Sequence, residues 1–434
     1  MKFAIALCGL IAVVVAAEPL TWEKLIASTN EDPVLKAVSR KESVIKERSS
    51  TKLWDEMQLS YKLDGFGFME HDFELKIKPK AFGESAAYEN YWKSQLSYQK
   101  TLEGYDRSLV LFERYEHSFR YIMRLKMQQL HQQLFVVNDD RIAVLHAKSG
   151  AETFDLQDLV TALENQATLT AELIADSNAL EDSKMKLMSW VPGFDVIALD
   201  STWLPTMEEL VTILKSTKDN PDTYPEVAKA KGKWDVGTKR YDQEVAGDND
   251  YISSVSVGYK HVIAEYQYKW VDQDDGLGTQ KWKLVHEDDD RRTIDKFYAS
   301  ISVKIPAFSN DGSDNIKRQL DVLDAERDYL EEKRDMSQRV ARLREEIMGL
   351  IAQREVQKNF VSQVDAGALF QDFAMKAGND PLLLLRARES ALQSQLKMVK
   401  LENDIYNDYI ILLSYIGVFA RENVKNHLKE GFSK

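Results

Sequence analysis

Histidines and acidic residues are the side chains of this sequence that could bind a metal ion, and their spacing limits which sites they can form. The seven histidines are scattered singly, and none forms the HExxH or HxxxH spacing that puts two zinc-binding imidazoles on one helix face. Residues 272–276 begin like a calcium loop, but they lack its fifth ligand and its terminal glutamate. Four carboxylates follow at 287–290. We interpret both acidic segments as solvated loops. The histidines are His71, His117, His131, His146, His261, His286 and His427.

Nucleophilic and phosphate-binding motifs are also missing from the sequence. The only cysteine, Cys8, lies in the apolar N-terminal segment. The rest of the sequence has no thiol and so cannot form disulfides or use cysteine catalysis. No Gly-rich phosphate loop occurs. A net charge of −13 argues against a nucleic-acid partner. The sequence therefore predicts a protein that is not an enzyme and that needs no cofactor and no metal.

The N-terminus has the pattern of a secretory signal peptide. Lys2 precedes an apolar stretch at 3–14, and Val15-Ala16-Ala17 forms a small-residue cleavage site. We expect residues 1–17 to be removed. The alternative is an N-terminal membrane anchor, for which the apolar stretch is too short to span a bilayer comfortably.

The remaining chain contains one structural pattern twice. Pro79 and Pro306, each at the end of an alternating run, lie 227 residues apart, and Gly150 and Gly378 lie 228 residues apart. A long-period repeat of this kind predicts a duplicated architecture. We predict repeat 1 at 18–190, a linker at 191–205 and repeat 2 at 206–434. Each repeat has a helix, two strands and a long helical hairpin; the strands are predicted at about 53–64, 70–79, 251–262 and 294–306, the hairpin turns near 150 and 378, and an inserted loop lies between the last two strands.

The strands alternate apolar and polar side chains with a period of two, so each has one apolar and one polar face. Met57, Leu59, Leu75 and Ile77 share the apolar face. The predicted polar, lumen-facing residues are Gln58, Lys62, Glu74, Lys76 and Lys78. Either the apolar face meets lipid or the strands pack as a half-buried hairpin on a soluble core. Aromatic residues at strand ends suit either a membrane-interface girdle or turn packing; they are Trp54, Tyr61, Phe66, Phe68 and Phe297.

Heptad patterns follow the second strand of each pair and predict coiled-coil helices. In the second copy Val322, Tyr329, Met336, Leu343 and Leu350 recur every seven residues, with Val340 and Ile347 between them. Helices of the predicted length reach about 100 Å at 1.5 Å per residue, too long for a compact core. Four strands are also too few to close a membrane barrel, so several chains would have to pool them.

The order of these elements and their duplication resemble the TolC-type outer-membrane efflux proteins, as does the strand at 300–308 that ends in proline and an aromatic residue. The resemblance implies a mainly helical fold in which a trimeric α-barrel is capped by a shared transmembrane β-barrel of ~12 strands. It implies a homotrimer in the outer membrane, surrounded by lipid, with a long periplasmic helical part. The protein would be a passive exit duct for efflux or type I secretion, working with a periplasmic adaptor and an inner-membrane transporter.

The resemblance also implies functional positions at the hairpin ends. The expected adaptor-docking tips are Gly150, Ala151, Glu152, Gly378, Asn379 and Asp380. The expected constriction lies at Asp380 and Leu384, where a leucine run stands in place of the family's aspartates. The alternative function is a periplasmic coiled-coil adaptor or a non-transporting envelope scaffold. Adaptors usually carry one helical hairpin in a lipoyl-like module, and the two hairpins found here favour the channel.

Overall fold

A computed structural model describes most of the chain. The described residues are 19–48, 54–64, 70–150, 154–194, 196–216, 220–248, 250–262, 268–274, 280–286, 293–303, 313–365, 381–422 and 424–430. Several expectations fall outside them: the signal peptide at 1–17, the end of the strand predicted to reach 306, the acidic run at 287–290 and the second hairpin turn near 378.

Helices dominate the described residues. Their bounds are α1 Trp22–Ala27, α2 Pro33–Lys46, α3 Glu84–Ala147, α4 Leu156–Trp190, α5 Met207–Ser216, α6 Pro225–Asp248, α7 Ser313–Asp365 and α8 Pro381–Tyr415. Short 3-10 helices lie at Ser28–Glu31, Ser201–Trp203 and Pro221–Thr223. The longest, α3, has 64 residues, which corresponds to about 96 Å.

Six strands complete the described structure: β1 Trp54–Asp64, β2 Glu70–Pro79, β3 Ile252–Val262, β4 Tyr268–Asp274, β5 Gln280–His286 and β6 Ile294–Val303. Four of them form an antiparallel sheet in the order β1-β2-β3-β6. The inserted segment forms a separate two-stranded sheet, β4-β5. The predicted mainly helical fold with a small β part is confirmed.

The chain divides into two compact units, and each contains segments of both predicted repeats. Unit 1 consists of Met1–Ser43, Gln99–Lys231 and Asp328–Lys434. Unit 2 consists of Val44–Tyr98 and Gly232–Arg327, and it carries the four-stranded sheet. The duplicated strand pairs therefore join in one sheet through the contact between β2 and β3.

Unit 1 has a core of large aromatic side chains. Tyr115 on α3 lies between Trp22 and Phe419, with ring centroids 5.6 Å and 5.1 Å away. All three residues are fully buried. The indole Nε1 of Trp22 donates a hydrogen bond of 3.0 Å to the carbonyl oxygen of Asp200, so its polar atom is satisfied. Burial of such rings stabilises the fold by about 1.5–3 kcal/mol for each large side chain.

A buried arginine joins three segments of unit 1. The Arg114 guanidinium donates hydrogen bonds to Asp32 at 3.0 Å and to the Ser28 hydroxyl at 3.1 Å. It also lies 5.0 Å from the ring centroid of Trp190, at the end of α4. Because the charge is both paired and hydrogen-bonded, its burial is compensated.

The buried positions of α7 depart from the heptad pattern after its first turns. Tyr329 and Met336 are buried seven residues apart, and Val340 and Ile347 are buried between the heptad positions, as expected, but the next buried residue is Ile351 in place of Leu350. From Met336 onward the steps are four and seven residues, which make an 11-residue period. That period corresponds to 3.67 residues per turn, close to the natural helix, so the contact stripe stays in place without a strong left-handed supercoil. The predicted heptad positions Leu343 and Leu350 are consequently only partly buried.

Candidate functional site

In the central rows of the four-stranded sheet, the register places apolar side chains on one face and polar side chains on the other. Leu59 lies opposite Leu75, which pairs with Val257, and Val257 lies opposite Ala299. The next row toward the helices holds Met57, Ile77, Val255 and Ile301. Directly paired residues point to the same face of a sheet. The alternation seen in single strands therefore adds up to one apolar face across four strands.

This apolar face is exposed in the single chain. Leu59 is 77% exposed and Phe297 is 82% exposed, and Met57, Leu63, Leu75, Val257, Ile301 and Val303 are exposed as well. Soluble proteins rarely leave so many large apolar side chains side by side in water. A sheet face of this composition is typical of one that contacts lipid or another apolar surface.

One row of the apolar face is aromatic in every strand. Tyr61 pairs with Phe73, Phe73 pairs with Tyr259, and Tyr259 pairs with Phe297. The ring centroids of Tyr61 and Phe73 are 4.5 Å apart, and those of Tyr259 and Phe297 are 4.9 Å apart. Aromatic residues at one level of a barrel mark the boundary between hydrocarbon and headgroups. This arrangement favours the girdle interpretation for Tyr61 and Phe297; Phe66 and Phe68 lie outside the described residues.

The opposite face is polar and contains the five residues predicted to face a lumen. By register, Gln58 lies opposite Lys76, and Glu74 lies opposite Ser60. Lys62 and Lys78 occupy the same face, opposite Asp72 and Glu56. In β3 this face is buried at Ser256, whose hydroxyl lies 2.7 Å from that of Ser300. Whether the face lines a lumen remains a prediction.

A glycine allows an aromatic ring to lie across the polar face. Gly258 pairs with Tyr298, whose ring covers the glycine, and a Cβ at this position would overlap the ring. The Tyr298 hydroxyl donates a hydrogen bond of 2.8 Å to Asp72 on β2. Tyr298 therefore connects β6 to β2, the strand beyond its neighbour β3, a type of contact that fixes strand register.

The described part of the first hairpin end is small. Gly150 follows α3 in a turn and is exposed, while Ala151 and Glu152 lie outside the described residues. In the second hairpin, Gly378, Asn379 and Asp380 also lie outside them. Leu384, at the predicted constriction, is 41% exposed. The docking tips and the constriction therefore remain predictions.

The leucine run that opens α8 is divided between two environments. Leu382 packs against a cluster formed by Leu145, Leu159 and Ala162 near the ends of α3 and α4. Leu383 is exposed, as Leu384 is. The start of α8 thus lies against the first hairpin.

Charged side chains reinforce this contact. Arg141 on α3 is 7% exposed and donates a hydrogen bond of 3.1 Å to Glu389 on α8. Asp158 on α4 accepts a hydrogen bond of 2.5 Å from Arg386 and lies 3.7 Å from Arg141. Two arginines and two carboxylates therefore connect α3, α4 and α8 in one ion network.

A second polar network lies between α3 and α4. His131 is buried; its Nδ1 lies 2.6 Å from Asp176, and its Nε2 lies 3.1 Å from Glu172. Arg124 pairs with the same aspartate at 3.1 Å. Asn138 donates a hydrogen bond of 2.8 Å to the carbonyl oxygen of Ala162. Residues further along α3 contact residues earlier in α4, which shows that the two helices form an antiparallel hairpin.

One carboxyl group in unit 1 has a strongly shifted pKa. Burial raises the pKa of Asp408 on α8 to about 6, and the nearby carboxylates of Glu346 and Asp404 add to the increase. Desolvation and like charge both penalise the ionised form. Asp408 is therefore protonated over a wider pH range than an ordinary aspartate.

Solved structures with a similar fold include outer-membrane channels. The chain superimposes on CusC, a protein studied for folding and transmembrane channel formation, with a TM-score of 0.62 and 11% identity over 92% of this chain and 93% of CusC. The MtrE outer-membrane channel of Neisseria gonorrhoeae gives a TM-score of 0.61 at 11% identity, covering 91% of this chain and 88% of MtrE. The outer-membrane protein VceC of Vibrio cholerae gives 0.58 at 15% identity, covering 91% and 96%.

No protein-family model matches the sequence, and no curated protein matches it significantly. The fold is nevertheless that of the outer-membrane channel proteins, over about nine-tenths of the chain. The resemblance inferred from the duplicated strands and hairpins is confirmed at this level. Within the described residues, no helix is both long enough and apolar enough to cross a bilayer.

Proposed function

We propose that the chain is a passive exit duct of the outer membrane, used in efflux or in type I secretion. The observation that carries the proposal is the exposed apolar face of the four-stranded sheet, with its aromatic row. The fold shared with outer-membrane channels supports it independently of this face.

The edges of the sheet support the assembly of several copies. In the described sheet, β1 and β6 are the outer strands, and they run in opposite directions because all three pairings are antiparallel. β6 of one copy can therefore pair antiparallel with β1 of the next. In lipid each unpaired backbone group costs several kcal/mol, which drives this closure. Three copies give a closed barrel of ~12 strands, consistent with a homotrimer.

Strand length agrees with a membrane-spanning role. β1 and β3 have 11 residues, and β2 and β6 have 10. Strands of about 9–11 residues, tilted at about 45°, cross the hydrocarbon core of a bilayer. In this arrangement the apolar face meets lipid, and Gln58, Lys62, Glu74, Lys76 and Lys78 face the lumen.

The helices then form the periplasmic tube of the duct. At about 96 Å, α3 is about three times as long as the hydrocarbon core is thick, so most of it would lie outside the membrane. The hairpin ends near 150 and 378 would dock a periplasmic adaptor, which would connect the duct to an inner-membrane transporter.

Membrane fractionation combined with native mass spectrometry tests the proposal. A detergent-extracted trimer in the outer-membrane fraction that conducts ions in planar bilayers is the expected result. A water-soluble monomer in the periplasmic fraction would instead indicate a scaffold or an adaptor. Substituting a bulky charged residue at Ala151 or Asn379 should impair export from cells without changing the amount of trimer, and unchanged export would refute docking at the tips.

A further inference from the structure

Three side chains that could ligate or orient a metal meet at one end of the apolar face. His71 on β2 pairs directly with His261 on β3, and His261 pairs directly with Asp295 on β6. The two imidazole centroids are 6.2 Å apart. They lie one row beyond the aromatic row, toward the β1-β2 turn. Three neighbouring strands thus bring together residues that are far apart in the sequence.

Each imidazole of this row has its Nδ1 atom engaged. Nδ1 of His261 lies 2.6 Å from a carboxylate oxygen of Asp295, which also accepts a hydrogen bond of 2.6 Å from the Tyr259 hydroxyl. Nδ1 of His71 lies 2.7 Å from the Tyr61 hydroxyl. The carboxylate at Nδ1 of His261 stabilises the tautomer that carries its proton there, and this leaves Nε2 with a lone pair. His71 has the same free Nε2 in the tautomer whose Nδ1–H donates to the Tyr61 hydroxyl. Metal-binding histidines are commonly oriented by such a partner.

The separation of the rings is close to that required by one shared ion. With zinc–nitrogen bonds of about 2.0–2.1 Å, two imidazoles on one tetrahedral zinc have centroids about 5 Å apart. The observed 6.2 Å is about 1 Å longer, so binding requires the two rings to move closer together by that amount. Among the described residues, no group of three or more His, Cys, Asp or Glu side chains could hold a metal. The row therefore offers two protein ligands, with Asp295 as their orienting partner and water completing the shell.

We propose that His71 and His261 together bind one divalent transition-metal ion, such as Zn²⁺, Ni²⁺ or Cu²⁺, with Asp295 as a positioning residue. Imidazole ligands prefer these ions to calcium or magnesium. The carboxylate of Asp295 disfavours an anion such as a lipid phosphate at the same place. The metal would join β2 to β3, and these are the strands through which the two duplicated halves share a sheet. Binding to the folded state alone would stabilise that junction.

Calorimetric titration of the untagged full chain in detergent with ZnCl₂ at pH 7.5 tests the site. We expect one Zn²⁺ per chain. His71→Gln and His261→Gln should each weaken this binding at least ~10-fold, and Asp295→Asn should weaken it about 10-fold by loosening His261. His146→Gln, at an exposed histidine in the last turn of α3, is the matched control and should bind as the original chain does.

Two further measurements distinguish a variant that fails to fold from one that folds but lacks a metal ligand. Each variant should retain the circular dichroism spectrum and the native mass of the original chain without metal. Zn²⁺ should raise the thermal midpoint of the original chain and of His146→Gln but not that of the double variant His71→Gln/His261→Gln. Equal zinc affinity in the original chain and the double variant would overturn the proposal, as would the absence of binding at millimolar zinc. None of these readouts depends on transport or on membrane insertion.

Discussion

Leu59 and Gln58 are neighbours in the middle of β1 and provide a test of which face of the sheet meets lipid. They point to opposite faces because successive side chains of a strand alternate. Leu59 is 77% exposed in the single chain. If that face met water, replacing Leu59 by arginine would change the free energy of folding by no more than about 0.5 kcal/mol. The same change would then be as mild as Gln58→Arg.

A lipid-facing Leu59 gives a very different result. Leu59 lies two residues from the aromatic row at Tyr61, which is about 7 Å along the strand at about 3.3 Å per residue, so it lies in the hydrocarbon region between the boundary and the midplane. Arginine on the lipid face costs about 2–4 kcal/mol at the midplane and about 0–1 kcal/mol near the interface, so we expect about 1–3 kcal/mol at this depth. At 1.4 kcal/mol per tenfold, this lowers the equilibrium constant for insertion by about 5- to 140-fold. Gln58→Arg, which faces the proposed lumen, should cost less than about 1 kcal/mol.

Urea titration of folding into phospholipid vesicles would measure both variants, with tryptophan fluorescence reporting insertion and Leu59→Met as a control for packing. We expect Leu59→Arg to shift the midpoint to lower urea by the amount stated, and Gln58→Arg and Leu59→Met to stay near the original chain. Equal midpoints for the two arginine variants would refute the assignment of the faces. A larger loss for Gln58→Arg would mean that the assignment is inverted.

Three further predictions concern unit 1. Replacing Arg141 by methionine should lower the free energy of unfolding by about 2–3 kcal/mol, since it removes the cation paired with partly buried Glu389. Arg386→Met, at a half-exposed site, should cost below about 1 kcal/mol, and chemical denaturation compares the two variants. Burial raises the pKa of Asp408 to about 6, so between about pH 4 and 6 the native state binds more protons than the unfolded state, and stability falls as the pH rises through this range. In thermal scans, Asp408→Asn should therefore be more stable than the original chain by about 1–2 kcal/mol at pH 7 and equally stable below pH 4. Gly417 has a φ of +79° at the end of α8, so Gly417→Ala should cost about 1–2 kcal/mol, measured by the same scans.

Local periodicity accounts for what the sequence alone could predict. The two faces of each strand follow from alternation over a few residues, as in Met57 to Lys62, and neighbours along the chain are enough to reveal it. The long helices follow from the 3–4 spacing of apolar residues. The duplication made the order of the elements recognisable, because the same sequence of strands and helical hairpin occurs twice. These features are local, so a single sequence is enough to predict them.

Contacts between distant segments could not be predicted in this way. Sequence spacing gave no metal motif, since the whole first hairpin, α5 and α6 lie between His71 and His261, which meet only through the β2-β3 register. The Arg141 network likewise depends on how α8 lies against α3 and α4. The 11-residue period in α7 was not evident from the sequence, because Val340 and Ile347 also fit the heptads and only the burial of Ile351 in place of Leu350 distinguishes the two periods.

The lipid-facing surface of the sheet and the junction of β2 with β3 require different kinds of side chain. A lipid-facing surface selects apolar side chains and tolerates many of them, so the identity of Leu59 or Ile301 matters less than its hydrophobicity. The row at His71 and His261 breaks that pattern with polar side chains, which pair with a carboxylate and two tyrosines next to the aromatic belt. Polar groups at a membrane boundary are costly unless they are satisfied, and here they satisfy one another across three strands. A metal ion at this row would therefore stabilise the register on which the shared sheet depends.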